Sequence, residues 1–251
     1  MDEASLVKAR LLELESVASK RDIPKNTDFL GLSEQSIFAS MQRSGELRMG
    51  ILWGGYEDAE RRIAFWPASY SSEPDKNEPL ACIKIRPLNA KFSGELSHRD
   101  YLGSLMNLGV ERSCLGDIVL CESCAYVYCM SDIAPFVAEN LTRVKHTSVI
   151  AELAGPCEEL PKPKTKELRV NVASERIDVL IAAIYRLSRS EALSLVEGEK
   201  VFAEGFAVKS CAEKLQPGMR VSVRGYGRFV YGGIDGQSRK GRLYARVQLF
   251  V

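Results

Sequence analysis

The sequence predicts an α+β fold, with helices at the N-terminus, a ferredoxin-like domain in the middle and a small basic sheet at the end. In residues 80–153 the patterns follow the order strand, helix, strand, strand, helix, strand, which is the ferredoxin-like order. In residues 174–229 two short helical patterns precede short alternating strands. These patterns divide the chain into an N-terminal helical and strand region at 1–75, a ferredoxin-like domain at 76–153, a linker at 154–166 and a helix hairpin on a basic sheet at 167–251.

The N-terminal region begins with an apolar stripe at helical spacing, which predicts a first helix that ends before Pro24. The stripe consists of Leu6, Leu11, Leu12, Leu14 and Val17. Ser33 is a suitable cap for a second helix. A strand over residues 48–53, a glycine turn, a short charged turn and a second apolar strand complete the region.

The middle region predicts strands at 80–86, 117–121, 125–130 and 147–153, and helices at 97–108 and 132–140. Tyr126 and Tyr128 fall on one face of the third strand, because alternate residues of a strand share a face. Domains of the RNA-recognition type stack bases on such aromatics. Tyrosines packed within the sheet are the alternative.

Charge is distributed unevenly although the net charge is only +1. Residues 163–251 hold 16 Lys and Arg against 9 Asp and Glu, whereas residues 1–162 hold 18 against 24. A basic C-terminal part is typical of a surface that meets a polyanion, since neutralised phosphates release counterions. A merely solvated surface is the alternative. Residues 154–166, with three prolines and a Lys/Pro run, indicate a linker.

The composition indicates a globular cytoplasmic chain without membrane contact. With 45% hydrophobic residues it can bury substantial cores, but no apolar run approaches the ~18–20 residues that span a bilayer. The acidic, amphipathic N-terminus is unlike a signal peptide, so the seven cysteines are expected to be reduced. The Cys121-x-x-Cys124 pair, with Cys114 and Cys129 nearby, raises a zinc hypothesis, but a second pair at the spacing of a zinc finger is missing. We predict small strand residues here, and neither metal nor cofactor.

The C-terminal helices carry the main candidate site. Ser174 and Ser188 are suitable caps, and Gly198 stands where a left-handed residue would end the second helix. A helix hairpin would bring Arg176 and Arg189 to one end, beside backbone N–H groups that attract phosphate. Asp178 is expected to pair with an arginine or cap the helix. The predicted RNA-binding residues are Arg176, Ser188, Arg189, Ser190, Lys200, Lys209, Arg224 and Arg228.

Several of these positions carry a resemblance to a known domain. Arg176-x-Asp178, residues 188–190 (SRS), Ala192, Gly198, Val201 and residues 217–219 (PGM) resemble the RNA-binding domain first named from small-subunit ribosomal protein S-four. The resemblance implies binding to structured rRNA or tRNA without naming a reaction. Ile177 stands where leucine is usual, and residues 203–205 (AEG) replace a common Asn-Gly turn.

A second resemblance spans nearly the whole chain. Residues 54–62 (GGYEDAERR), 89–92 (NAKF), 96–103 (LSHRDYLG), 108–109 (LG) and 116–118 (GDI) are similar to the bacterial YlmH family. The resemblance implies an RNA-binding-like N-terminal region and ribosome-associated quality control of stalled nascent chains. The partners it implies are large-subunit rRNA, tRNA or peptidyl-tRNA, and other quality-control factors.

A possible second RNA contact is predicted at Arg61, Arg62, Lys91, His98 and Arg99. Arg61 and Arg62 could instead pair with the acidic residues beside them. Three roles are open for the His98-Arg99-Asp100 triplet: a structural start of a helix, a contact with rRNA, or acid–base chemistry. A kinase loop is rejected, because Leu105 stands where asparagine is required and the other kinase motifs are missing.

Three classes of function compete. The leading prediction is a non-catalytic RNA-binding protein. An RNA-modifying enzyme is the first rival, since pseudouridine synthases and methyltransferases carry the same small domain. Residues 175–178 (ERID) resemble a synthase segment only superficially, however, and the glycine-rich cofactor loop is missing. A scaffold whose acidic first half binds another protein is the second rival.

Overall fold

The computed structural model describes residues 2–69, 78–89, 96–154, 165–239 and 241–250. The chain divides into two compact units, Met1–Lys162 and Pro163–Val251. The segments predicted at 1–75 and 76–153 both fall within the first unit. Within the described ranges, every helix is too short or too polar to cross a bilayer.

The N-terminal part of the first unit contains two helices and a small antiparallel sheet. Its elements are α1 (Glu3–Arg21), β1 (Lys25–Asn26), α2 (Leu32–Ser44), β2 (Ile51–Trp53) and β3 (Ile63–Trp66), with the strands in the order β1-β3-β2. The Asp2 carboxylate caps α1 by accepting from the Ser5 N–H at 2.8 Å. Gly31, and not Ser33, precedes α2, and its N–H donates to the Glu34 carboxylate at 2.6 Å.

The buried face of α1 differs from the predicted stripe. Leu11, Leu14 and Ala18 are buried against α2 and β3, whereas Leu6 and Leu12 are 52% and 42% exposed. The helix itself is confirmed, but the stripe was wrong at these two positions. Residues 11, 14 and 18 lie on one face at the i, i+3, i+7 spacing of a helix, and the position of α2 and β3 selects that face.

The predicted strand and helix order of the ferredoxin-like region is confirmed. Its elements are β4 (Leu80–Pro87), α3 (His98–Asn107), β5 (Leu115–Leu120), β6 (Ala125–Met130), α4 (Ala134–Asn140), β7 (Arg143–Val144) and β8 (Thr147–Leu153). The antiparallel sheet has the order β5-β6-β4-β8-β7, so the split βαβ arrangement is extended by the short β7. The helices α3 and α4 contribute Leu105 and Val137 to a core with Ile83, Ile85 and Val127.

The other face of this sheet is covered by the N-terminal part of the same unit. Phe29, Ile63 and Phe65 form a buried cluster with Tyr128. The ring of Tyr56 stacks on Tyr128 with the ring centroids 5.1 Å apart. Gly55 permits this approach, since a Cβ at its position would lie 2.3 Å from the Tyr128 ring.

Both tyrosines of the third strand are buried. Tyr126 and Tyr128 are 6% and 3% exposed, and the Lys84 ammonium lies 5.5 Å from the Tyr126 ring centroid. The hypothesis that they stack bases is therefore wrong, and the alternative of tyrosines packed within the sheet is correct. The physical reason is that a segment distant in sequence covers the face that the alternation predicted to be open.

The second unit is a six-stranded antiparallel sheet with two helices packed against it. Its elements are β9 (Thr165–Val172), α5 (Ile177–Tyr185), α6 (Arg189–Glu197), β10 (Val201–Ala203), β11 (Phe206–Ala207), β12 (Arg220–Val223), β13 (Gly227–Gln237) and β14 (Leu243–Phe250). The strand order is β11-β10-β12-β13-β14-β9. Ile177, Leu180 and Ile181 of α5 share a core with Leu195 of α6 and Phe229 of β13.

Strand β9 was not predicted, and it begins inside the segment predicted as linker. It pairs with β14 along its whole length, from Thr165 opposite Phe250 to Val172 opposite Leu243. The final strand, β14, therefore lies inside the sheet between β13 and β9. An edge strand is half-exposed and receives its hydrogen bonds from one side, so β9 has little apolar pattern of its own. Residues 155–164 of the predicted linker lie outside the described residues.

The helix caps of this unit match the sequence in part. Ser188 caps α6 as predicted, in a reciprocal box with Glu191. Arg176, and not Ser174, is the N-cap residue of α5. Gly198 has a φ of −82°, and the left-handed residue is Glu199 at 52°. Gly198 is needed for space, because a Cβ there would lie 2.9 Å from the Ser194 carbonyl oxygen.

Candidate nucleic-acid interface

Three predicted basic residues lie together at one end of the second unit's sheet. Val201 is opposite Val223 in the β10–β12 pair, and the Arg224 N–H donates to the Lys200 carbonyl at 2.8 Å. On the other side of β10, the Val208 N–H donates to the Val201 carbonyl at 2.9 Å, which places the next residue, Lys209, beside Lys200. Lys200, Lys209 and Arg224 are all exposed. The register of three adjacent strands therefore builds one cationic edge.

The turn between β12 and β13 extends this edge towards α5. Tyr226, at the tip of the turn, is 44% exposed, and its ring centroid lies 5.6 Å from that of Tyr185 at the end of α5. The Arg228 guanidinium lies 4.4 Å from the centroid of the Phe250 ring, a cation–π distance. An exposed aromatic ring between basic residues can stack on a base while its neighbours contact phosphate.

The segment that follows α5 adds a residue that the sequence analysis missed. Arg186 is exposed and adopts the left-handed conformation at a φ of 56°, and Arg189 begins α6 three residues later with its side chain exposed. Because Tyr185 contacts Tyr226, this junction lies near the β12–β13 turn. The charge pattern RLSR at residues 186–189 was the available signal.

Arg176 lies apart from Arg189. It occupies the N-cap of α5, whose nine residues advance by about 1.5 Å each, so about 13 Å separates it from the helix end near Arg189. The prediction that a hairpin brings both arginines to one end was wrong, because the second helix of a hairpin starts where the first one ends. The Arg176 guanidinium instead donates two hydrogen bonds, at 3.0 and 3.1 Å, to Asp178. These bonds raise the pKa of Arg176 and confirm that Asp178 pairs with an arginine.

The hydroxyl groups at the start of α6 serve the helix. Ser188 Oγ donates to the Glu191 carboxylate at 2.7 Å and accepts from the Glu191 N–H at 3.2 Å, while the Ser190 hydroxyl lies 3.0 Å away. The hydrogen bonds from Ser188 lower the pKa of Glu191. Capping therefore accounts for Ser188, whereas the exposed Ser190 stays a predicted RNA contact.

In the first unit, Arg61 and Arg62 are bound to the backbone. The Arg61 guanidinium donates to the carbonyls of Phe29 at 2.7 Å, Leu115 at 2.9 Å and Arg112 at 3.3 Å. Burial lowers its pKa below the ordinary value. Arg62 donates to the carbonyl of Ala59 at 2.8 Å. These bonds support a structural role for both residues more than a contact with RNA.

Asp117 orders this region, a role that its sequence motif alone did not indicate. Its carboxylate accepts from the Tyr56 hydroxyl at 2.7 Å, the Glu60 N–H at 2.7 Å and the Arg61 N–H at 3.0 Å. It thereby ties the loop before β3 to β5. An acidic residue inside an apolar strand pattern was the signal that could have identified it, since such a group needs partners.

The His98-Arg99-Asp100 triplet is divided by the fold. The Asp100 carboxylate accepts from the Ser97 N–H at 2.9 Å and the Ser97 hydroxyl at 2.8 Å, so it caps α3. Desolvation by neighbouring protein atoms lowers the pKa of His98, and the positive charge of Arg112 adds to this effect. Arg99 is exposed and borders a groove. Lys91 lies outside the described residues.

The cysteine pair lies at the tip of the β5–β6 hairpin. The Cys121 N–H donates to the Cys124 carbonyl at 2.9 Å, and the two sulfur atoms are 2.8 Å apart. Cys129 is buried within β6. In the part of the chain that the structure describes, the His, Cys, Asp and Glu side chains form no group of three or more that could hold a metal ion.

Comparison with known proteins relates this architecture to a family. Residues 79–154 match the family model described as "Putative RNA-binding domain in YlmH". Over 231 residues the chain is 29% identical to "Ribosome-associated protein quality control protein P2" of Bacillus subtilis, an alignment that covers 91% of this chain and 88% of that protein. Residues 79–154 therefore resemble the RNA-binding domain of YlmH, and most of the chain is similar to the Bacillus subtilis protein. The resemblance seen in the sequence is thereby confirmed, and an RNA-binding role is supported.

The solved structure of "Cell division protein ylmH from Streptococcus pneumoniae" has a similar fold. It superposes with a TM-score of 0.51 at 15% sequence identity, and the match covers 62% of this chain and 93% of that one. In this chain the match to the family model begins one residue before β4 and ends one residue after β8, so it coincides with the ferredoxin-like region. The predicted C-terminal module lies outside the range that the family model matches.

Proposed function

We propose that this chain binds large-subunit rRNA and peptidyl-tRNA without catalysing a reaction, and that it acts in ribosome-associated quality control of stalled nascent chains. The observation that carries the proposal is the cationic edge formed by Lys200, Lys209 and Arg224. The name of the Bacillus subtilis relative supports the association with ribosomes, which would place the chain in the cytoplasm.

The charge of the second unit supports binding to a polyanion. Its residues hold 16 Lys and Arg against 9 Asp and Glu, and the sheet register gathers three of these cations on adjacent strand ends. Guanidinium groups at Arg189, Arg224 and Arg228 suit bidentate contact with phosphate. The resemblance to the S-four type of RNA-binding domain points to structured RNA as the ligand.

Two carboxylates near the candidate residues have structural partners, which favours binding over catalysis. Asp178 is bonded to Arg176, and Asp100 caps α3. A carboxylate that is committed to a helix cap or an ion pair is poorly placed to accept a proton from a substrate. The role proposed for these surfaces is therefore to hold RNA in place.

Sedimentation with isolated large and small ribosomal subunits across a salt series tests the proposal. The wild-type chain should bind the large subunit selectively and more weakly as salt rises. Lys200→Ala/Arg224→Ala should lower the affinity by about 10-fold or more, since each phosphate or base contact contributes on the order of 1 kcal/mol. Lys8→Ala/Arg10→Ala in α1, which removes the same charge from an exposed helix face, is the matched control.

Two results would contradict the proposal. The first is wild-type affinity in the Lys200/Arg224 variant when circular dichroism shows the fold intact. The second is capture of ribosomal proteins that survives RNase treatment and depends on the first unit, which would favour the scaffold alternative.

A further inference from the structure

A groove of about 480 Å³ lies on the helical side of the ferredoxin-like region. Arg99 and Asn107 of α3 form one wall, and Asn140, Arg143 and Lys145 from the end of α4 and the β7–β8 hairpin form the other. Arg99 was a candidate from the sequence, but Arg143 and Lys145 were not. The fold brings these residues together across more than forty positions of sequence.

The groove is cationic. Arg99, Arg143 and Lys145 are all exposed, and Asp100 is the one carboxylate among the described residues that line it. The Lys145 ammonium lies 3.7 Å from the Asp100 carboxylate, which also holds the α3 cap. Two full positive charges therefore remain beside the side-chain amides of Asn107 and Asn140, which can donate hydrogen bonds to phosphate oxygens.

Lys145 adopts a backbone conformation that lysine rarely takes. It follows Val144 in the turn of the β7–β8 hairpin, where Val144 pairs with Thr147, and its φ is 54°. Glycine and asparagine occupy this left-handed region more readily than a lysine does. A two-residue hairpin loop calls for a positive φ at this position, and the lysine that occupies it lines the groove.

The surface that RNA-recognition domains ordinarily use is closed in this chain. Tyr126 and Tyr128 lie buried on the sheet face that Phe29, Ile63 and Phe65 help to cover. RNA bound to the ferredoxin-like region must therefore contact another surface. The groove is exposed, cationic and within the range 79–154 that matches the family model.

We propose that the groove is a second RNA site, which binds the phosphate backbone through Arg99, Arg143 and Lys145. This inference rests on the proposed function, because it deepens the RNA-binding role of the same chain. Two sites on one chain raise the effective concentration of each for a single large RNA. Loss of the groove should therefore weaken binding even when the edge at Lys200 and Arg224 is intact.

Filter binding of the full chain to deproteinised large-subunit rRNA across a KCl series tests the inference. Arg99→Ala/Arg143→Ala should lower the affinity by about 10-fold and reduce the salt slope by roughly 2, since each phosphate contact contributes about one unit to the slope. Arg10→Ala/Arg86→Ala removes the same charge from exposed positions outside the groove and should change the affinity far less.

Lys145→Asn separates binding from folding. Asparagine tolerates the left-handed conformation better than lysine, so the melting temperature should stay the same or rise while the affinity for rRNA falls about 3-fold or more, as expected for one lost phosphate contact. A structural role for Lys145 would give the opposite pattern, with lower thermal stability and unchanged affinity.

The outcomes distinguish this inference from the proposed function. Wild-type affinity and salt slope in the Arg99/Arg143 variant, together with weaker binding in the Lys200/Arg224 variant, would overturn the groove alone. Failure of the wild-type chain to bind rRNA would overturn both proposals. If the groove variant binds rRNA normally but no longer captures a ribosomal protein in a pull-down, the groove binds a protein partner instead.

Discussion

Replacing Asp117 with alanine should destabilise the Met1–Lys162 unit strongly, although the side chain is not fully buried. The carboxylate accepts three hydrogen bonds, from the Tyr56 hydroxyl and from the N–H groups of Glu60 and Arg61. All three join the N-terminal part of the unit to β5, which belongs to the sheet that this part covers. The substitution therefore tests whether these hydrogen bonds hold the N-terminal part of the unit against the face of the ferredoxin-like sheet.

The expected magnitude follows from the number and kind of these bonds. A hydrogen bond to a charged group contributes about 1.5–3 kcal/mol, but the Glu60 N–H can bind water once the carboxylate is gone, which reduces the average loss to about 1 kcal/mol per bond. Three bonds then give a loss of about 3 kcal/mol in the free energy of unfolding. With a urea m-value of about 2 kcal/mol per M, the unfolding midpoint should fall by about 1.5 M.

Tryptophan fluorescence isolates the unit concerned. Both tryptophans of the chain, Trp53 and Trp66, lie in the first unit, so a urea titration followed by their emission reports the unfolding of that unit. Tyr56→Phe is the matched control, because it keeps the ring that stacks on Tyr128 and removes one bond. It should cost about 1 kcal/mol, and it should cost almost nothing in a chain that already carries Asp117→Ala.

A midpoint shift below about 0.3 M for Asp117→Ala, which corresponds to less than about 0.6 kcal/mol, would refute the role assigned to this carboxylate. Full additivity of the Tyr56 and Asp117 substitutions would refute their direct coupling.

Three further predictions concern local structure. Ser188→Ala should destabilise the second unit by about 1 kcal/mol, the usual effect of removing an N-cap, and accelerate hydrogen exchange at the start of α6, whereas Ser190→Ala should have less than half that effect. Hydrogen bonds from Ser188 lower the pKa of Glu191 from its ordinary 4.5, so the stability that this carboxylate contributes is present above pH 4.5 and is lost as pH falls through the lowered value. An NMR titration of Glu191 should show a higher pKa in Ser188→Ala, and an unchanged pKa would contradict the cap. Burial raises the pKa of Cys129 to about 12, so iodoacetamide at pH 8 should modify the half-buried Cys124 well before Cys129. Peptide mass spectrometry would detect the difference, and equal rates would count against the packing of β6.

Much of the secondary structure could be predicted because its signals are local. The alternation in residues 125–130 predicted β6, and Ser188 as a cap predicted the start of α6. The order of strands and helices in residues 80–153 then restricted the topology to the ferredoxin-like arrangement. These features depend on residues close in sequence, whose spacing determines which backbone conformation buries their apolar groups.

The candidate sites were predictable only in part. The register of β10, β11 and β12 gathers Lys200, Lys209 and Arg224, which the sequence identified as basic without placing them together. Arg61 was a candidate RNA contact, but its guanidinium bonds to carbonyls that are distant in sequence. Charge can be read from a sequence, whereas the partner of a charge depends on tertiary packing.

The sequence by itself determined the helices and most strands, the basic character of the second half and the family resemblance. Tertiary structure decided which surfaces are open. It buried Tyr128 beneath the N-terminal part of the unit, and it placed Arg99 across a groove from Arg143 and Lys145. The physical reason is that local periodicity specifies which face of an element is apolar, while the segment that covers this face comes from elsewhere in the chain and is selected by the packing of the whole unit.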